Sequence, residues 1–135
     1  MNKRGIRLIQ ISVLYMVIGL ALGLAMGISG NFSLTSVHAH ILLLGWATMA
    51  IAGMIYVVVP DCARSRLGTL HVWGHNLGLP VMIASLAMKE SGQAKMEPLI
   101  GAGSTLVLVS LLLFTINLWR NGGLNHLRAT DRNEE

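Results

Sequence analysis

Four of the five histidines of this 135-residue chain lie inside apolar stretches: His38 and His40 in V-H-A-H-I, and His71 and His75 in L-H-V-W-G-H-N. Neutral imidazole is a ligand for heme iron, zinc and copper, and it exchanges protons near neutral pH. Lipid penalises ionisable side chains, so an ionisable residue within a membrane segment is by default a hypothesis about function. Spacing then separates the two pairs. Each helical residue advances ~100°, so His38 and His40, two apart, point ~200° apart. They cannot comfortably chelate one ion, but they can serve two different neighbours. His71 and His75 are four apart and share a helix face, a spacing that can bind one metal ion. Two nitrogens alone make a weak site, and a hydrogen-bonded packing pair is the competing reading.

The elements that position these residues are apolar. Hydrophobic residues make up 53% of the chain and charged residues only 12%, about half the charge of an ordinary soluble domain. Runs of about 20 apolar residues explain the deficit as lipid-facing surface. The expected fold is all-α, an integral membrane four-helix bundle. Its membrane domain covers 1–119, with spans at about 6–29, 35–59, 67–88 and 99–119. Residues 120–135 form a polar tail, in which His126 is expected to be solvated. The first run also follows a basic start, as a signal peptide would, but it is long and lacks a convincing cleavage site, so it is read as a retained anchor. Cys62 is the only cysteine, so no intrachain disulfide is possible.

The first span carries Gly19, Gly23 and Gly27 on one face, which lets another helix approach closely. The second carries Gly45 and Gly53, and its Trp46 is expected to pack inside. The third is the least hydrophobic; Pro80 should kink it, and its polar first half should look into the bundle. The fourth is rich in Leu and Val. Basic residues cluster before span one (Lys3, Arg4, Arg7), between spans two and three (Arg64, Arg66) and after span four (Arg120, Arg128, Arg132). The positive-inside rule therefore puts both termini in the cytoplasm of a bacterial-type inner membrane, with His38 and His40 near the outer face. The formal charge of +4 is not a nucleic-acid signature, because it sits at segment ends and forms no stripe.

The series His38, His40, Gly45, Trp46, Gly53, Met54, Tyr56, Pro60 resembles the tenth transmembrane helix of subunit I in heme–copper oxidases, most closely the cbb-type branch. Arg64-Ser65-Arg66-Leu67 and His71-Val72-Trp73 resemble the start of the eleventh. Two of four spans are covered; the other two match only as generic apolar helices. The resemblance implies that His38 holds a high-spin heme and His40 a low-spin one from the opposite helix face. A full subunit I also has about a dozen spans, a second low-spin ligand and three further histidines for copper. This chain lacks them, so a complete terminal oxidase is not expected and neither is copper. His75 is absent from the family's pattern.

The expected cofactor is heme b, with His40 the leading ligand, then His38, and with His71 and His75 as further candidates. Counting ~1.5 Å per residue across a ~30 Å core puts His40 and His75 about 10 Å apart along the membrane normal. That disfavours one heme clasped between them. A homodimer pairing His40 with its symmetry mate keeps two ligands level; a five-coordinate heme is the other arrangement. The expected function is membrane heme binding in respiratory electron transfer or diatomic-gas sensing, at most as an oxidoreductase component. The alternatives are a non-catalytic accessory or assembly subunit of a respiratory oxidase, and a metal-handling protein using His71 and His75.

Overall fold

The computed structural model describes residues 3–93 and 95–123, and every regular element among them is a helix. The chain order is α1 (Lys3–Ser29), α2 (Thr35–His40), a π-helical segment (Ile41–Thr48), α3 (Met49–Val58), α4 (Pro60–Arg64), α5 (Arg66–Glu90) and α6 (Glu97–Asn121). Because α2, the π segment and α3 run on without a break, Thr35–Val58 acts as one rod. This rod, α1 and α6 are the three helices long and apolar enough to cross a membrane. His126, Arg128 and Arg132 lie outside the described residues.

The punctuation follows local chemistry. Gly30 at φ 67° and Gly92 at φ 96° supply the left-handed positions in the turns after α1 and after α5, which glycine adopts without steric cost. Val59 leaves helical geometry at φ −120°, ψ 81° because it precedes Pro60, whose ring crowds the preceding residue out of the α region. Pro60 then opens α4 and Pro98 opens α6, each in a first turn where the missing N–H costs nothing. Ser65 caps α5, its Oγ accepting the Gly68 N–H at 2.9 Å.

Two antiparallel helical hairpins result. α1 packs along the rod, and α5 packs along α6. Each hairpin is drawn tight by a reciprocal glycine pair. A methyl group built on Gly5 would lie 2.7 Å from the Gly53 carbonyl oxygen, and one on Gly53 would lie 2.9 Å from that of Gly5. Gly78 and Gly103 repeat the arrangement at 3.0 and 2.9 Å. Such backbone approach gains the van der Waals contact that holds helices together in lipid. Of the three-glycine face expected on α1, Gly19 meets Leu42 and Gly23 meets His38, but Gly27 has nothing within 4 Å. The close face therefore ends one turn early.

The outside is apolar, with large hydrophobics such as Leu14, Leu24, Leu43, Leu77 and Leu108 exposed on every long helix. Trp46 is among them at 40% exposure. It belongs to this outer face, so the expectation that it packs inside is corrected. The polar half of α5 divides as its turns dictate. His71 and His75 are buried and Asn76 is half-buried, while Leu70, Trp73 and Leu77 look outward. Pro80 sits inside α5 without ending it.

Candidate histidine sites

The first pair, His38 and His40, lies on α2, immediately before the π-helical segment. His38 crosses to α1: its Nδ1 is 2.9 Å from the Gly19 carbonyl oxygen. Its ring lies over Gly23, where an added methyl would come within 2.7 Å of Cε1. The missing side chain of Gly23 is thus the seat of the His38 ring. His40 turns elsewhere. Its Nδ1 lies 2.7 Å from the carbonyl oxygen of Ser36, one turn back on its own helix. A carbonyl only accepts, so the Nδ1–H donates and the Nε2 lone pair is left as the ligating face. Among the described residues, the Nε2 of His40 has no hydrogen-bond partner, and the side chain is only half-buried. The two rings accordingly have different neighbours, as their spacing predicts.

The second pair lies on α5 and is sealed in. His71 is 2% exposed and His75 1%, with ring centroids 5.8 Å apart and edge-on. The Tyr56 hydroxyl from α3 meets His71 Nδ1 at 2.8 Å, and Phe114 from α6 lies against the same imidazole at 4.8 Å. His75 donates Nε2–H to the Leu44 carbonyl oxygen at 3.1 Å, inside the π-helical segment. Its Nδ1 is buried without a partner. These contacts join the two hairpins through their polar groups. The pair occupies one face, as expected, but each ring already has a nitrogen engaged by Tyr56 or Leu44. Among the described residues no group of three or more His, Cys, Asp or Glu side chains converges as a metal site.

A second polar junction lies at the end of the bundle where α1 begins and α6 finishes. Asn117 of α6 is fully buried. Its Nδ2 donates to the Cys62 carbonyl at 2.8 Å, while its Oδ1 accepts from Ser65 at 2.7 Å and Asn121 at 2.8 Å. Arg4 reaches across from α1 to the Ala63 carbonyl and to Thr69 Oγ1 at 2.9 Å. Cys62 is buried against the Asn117 carbonyl; burial, aided by the nearby Asp61 carboxylate, raises its thiol pKa, so it remains protonated.

Three of these features escape sequence reasoning. Asn117 is the one side-chain amide in span four, and that isolation is its one visible signal. Tyr56 stands out in the sequence by its place in a motif and not as the partner of His71. The π-helical segment carries no sequence mark that periodicity reveals, although such widenings often accompany functional positions.

A planar heme can be weighed against each imidazole. His40 suits it: its Nδ1–H bond to Ser36 fixes tautomer and ring angle, as ligand histidines in metalloproteins are typically held, and its Nε2 has no partner among the described residues. The His38 ring lies directly on α1, which leaves no gap for a macrocycle on that side. His71 and His75 are stacked among Tyr56, Phe114 and Leu44, which suits packing better than ligation. No family model, curated protein or solved structure matches the chain.

Proposed function

We propose that the chain is a four-span membrane protein that binds b-type heme through His40, related to subunit I of heme–copper oxidases, and that it serves electron transfer or diatomic-gas sensing. One observation carries this reading. A half-buried imidazole, placed by sequence near a membrane face, has its Nδ1 tied to the Ser36 carbonyl and its Nε2 unpartnered among the described residues. The backbone bond also raises the basicity of the opposite nitrogen and thus its strength as a ligand. Bound heme would supply a one-electron redox change or a seat for a diatomic ligand. The chain's own part is to orient the imidazole, and His38, anchored on α1, holds α2 in place while it does so.

The fourth crossing is α5. Its 25 residues span ~37 Å, and its exposed side carries Leu70, Trp73, Leu77, Val81 and Met88 while its histidines turn inward. Four crossings return both termini to one side, and the basic ends make that side cytoplasmic. With one suitable imidazole per chain, a second axial ligand comes from the symmetry mate in a homodimer, or the iron is five-coordinate. An accessory role beside a respiratory oxidase is the second reading. It is favoured by Gly27 and Gly101, which have nothing within 4 Å and leave notches for a foreign helix near the outer end.

The deciding measurement is the visible spectrum of the purified protein. A Soret band with sharp reduced bands of b-type heme, lost in His40→Ala and kept in His71→Phe, is the expected result. A colourless, correctly inserted protein that does not take up hemin overturns it. Co-purification of an oxidase with that colourless protein establishes the accessory role instead.

A further inference from the structure

A groove of about 530 Å³ runs between α1 and α5 at the inner end of the molecule, lined by Lys3, Arg4, Arg7, Leu8, Ile11, Val72, Trp73 and Asn76. Its composition changes along its length. The three cations stand at the α1 terminus, and Leu8, Ile11, Val72 and the Trp73 ring continue it toward the middle of the helices. Lys3 to Ile11 is eight residues, ~12 Å along the axis.

We propose that this groove is a binding site for one anionic phospholipid, with its phosphate among the cations and an acyl chain along the apolar half. The charge argument is specific to these residues. Arg4 is committed to Ala63 and Thr69. Lys3 and Arg7 are exposed and, among the described residues, have no acidic partner; the Lys89–Glu97 ion pair lies at the opposite end. Two unneutralised cations at the mouth of an apolar slot select a ligand that is anionic at one end and hydrocarbon beyond it. Basic pockets between transmembrane helices on the cytoplasmic side recognise anionic head groups in this way. Trp73, 64% exposed, forms one wall, and an indole there suits the boundary between head group and chain. Asn76, one turn deeper, holds its Nδ2–H on the Val72 carbonyl at 2.8 Å, so its donor is satisfied within α5. The site depends on membrane residence alone and stands whether or not His40 binds heme.

Trp73 provides the readout. In a Trp46→Phe/Trp119→Phe background, the protein is reconstituted in phosphatidylcholine vesicles containing either brominated phosphatidylglycerol or brominated phosphatidylcholine at the same mole fraction. Quenching of Trp73 is expected to be clearly stronger with the anionic lipid. Each basic residue near the surface contributes roughly fivefold in affinity. Lys3→Gln/Arg7→Gln should therefore erase most of the preference while leaving the helical circular dichroism unchanged. Arg120→Gln removes a charge from the same end of the bundle but outside the groove, and should leave the preference intact. Equal quenching by the two lipids overturns the proposal. So does a loss in Arg120→Gln as large as that in the double variant, because the effect would then be general surface potential. Every arm compares two lipids on one preparation, so the presence or absence of pigment does not alter the outcome.

Discussion

The two hairpins use the same side chain in opposite ways. In the first, His38 and His40 are half-buried near one end, and each commits Nδ1 to a single backbone carbonyl. In the second, His71 and His75 are sealed between helices, with rings against each other, against Phe114, and bonded to Tyr56 and Leu44. An imidazole is fit to take a ligand when one nitrogen is fixed and the other is open. It is fit to hold a core together when its ring is enclosed on all sides. Residue type is identical in the two hairpins, and His40 and His75 each leave a second nitrogen unpartnered among the described residues. What differs is that the His75 nitrogen is buried while the His40 ring is only half-buried.

The sharpest test of that contrast is a pair of alanine substitutions. His71→Ala opens a cavity and strips a partner from Tyr56, so it should lower stability by about 3 kcal/mol. In the heme-free protein, His40→Ala should change it by no more than about 0.5 kcal/mol. Thermal melts in detergent give both numbers, and a large loss in His40→Ala would make the His38/His40 pair structural too. The hairpins should next prove alike in their glycine seams. Gly53→Leu and Gly103→Leu each drive a side chain into backbone atoms closer than 3 Å, and each should cost about 1–3 kcal/mol. A tolerated substitution in either would show that its hairpin is held by something other than close backbone approach.

Smaller effects probe the links between hairpins. Tyr56→Phe leaves His71 without its hydroxyl partner and should cost about 1–2 kcal/mol. In a double-mutant cycle with His71→Leu the two changes should be coupled by at least about 0.5 kcal/mol; additivity would mean that the bond is not formed. The smallest effect expected is at Cys62. Its buried, protonated thiol should resist maleimide under native conditions and react promptly in denaturant. Fast native labelling would show that the junction around it opens.

What is legible in the sequence is what periodicity and composition encode. Apolar runs imply helices of membrane-crossing length, Pro60 and Gly30 mark their ends, and two-residue spacing sends His38 and His40 to different neighbours. The seams at Gly19, Gly23 and Gly45 are visible as small residues, because close approach needs their absence of bulk. The polar junctions are not visible. Asn117 and Cys62 are 55 residues apart, and nothing local announces which amide will meet which carbonyl. The outward turn of Trp46 is hidden as well, since a count at ~100° per residue assumes an α-helix and Trp46 lies within the π segment.

That segment has a mechanical consequence. Eight residues, Ile41–Thr48, are wound more loosely than their neighbours, so the upper rod is out of phase with the lower by an angle a uniform helix would never produce. It works as gearing: deleting one residue there should reset the phase of everything before it, unseating His38 from its glycine notch and turning His40 to a new azimuth while Tyr56 and the lower seam remain engaged.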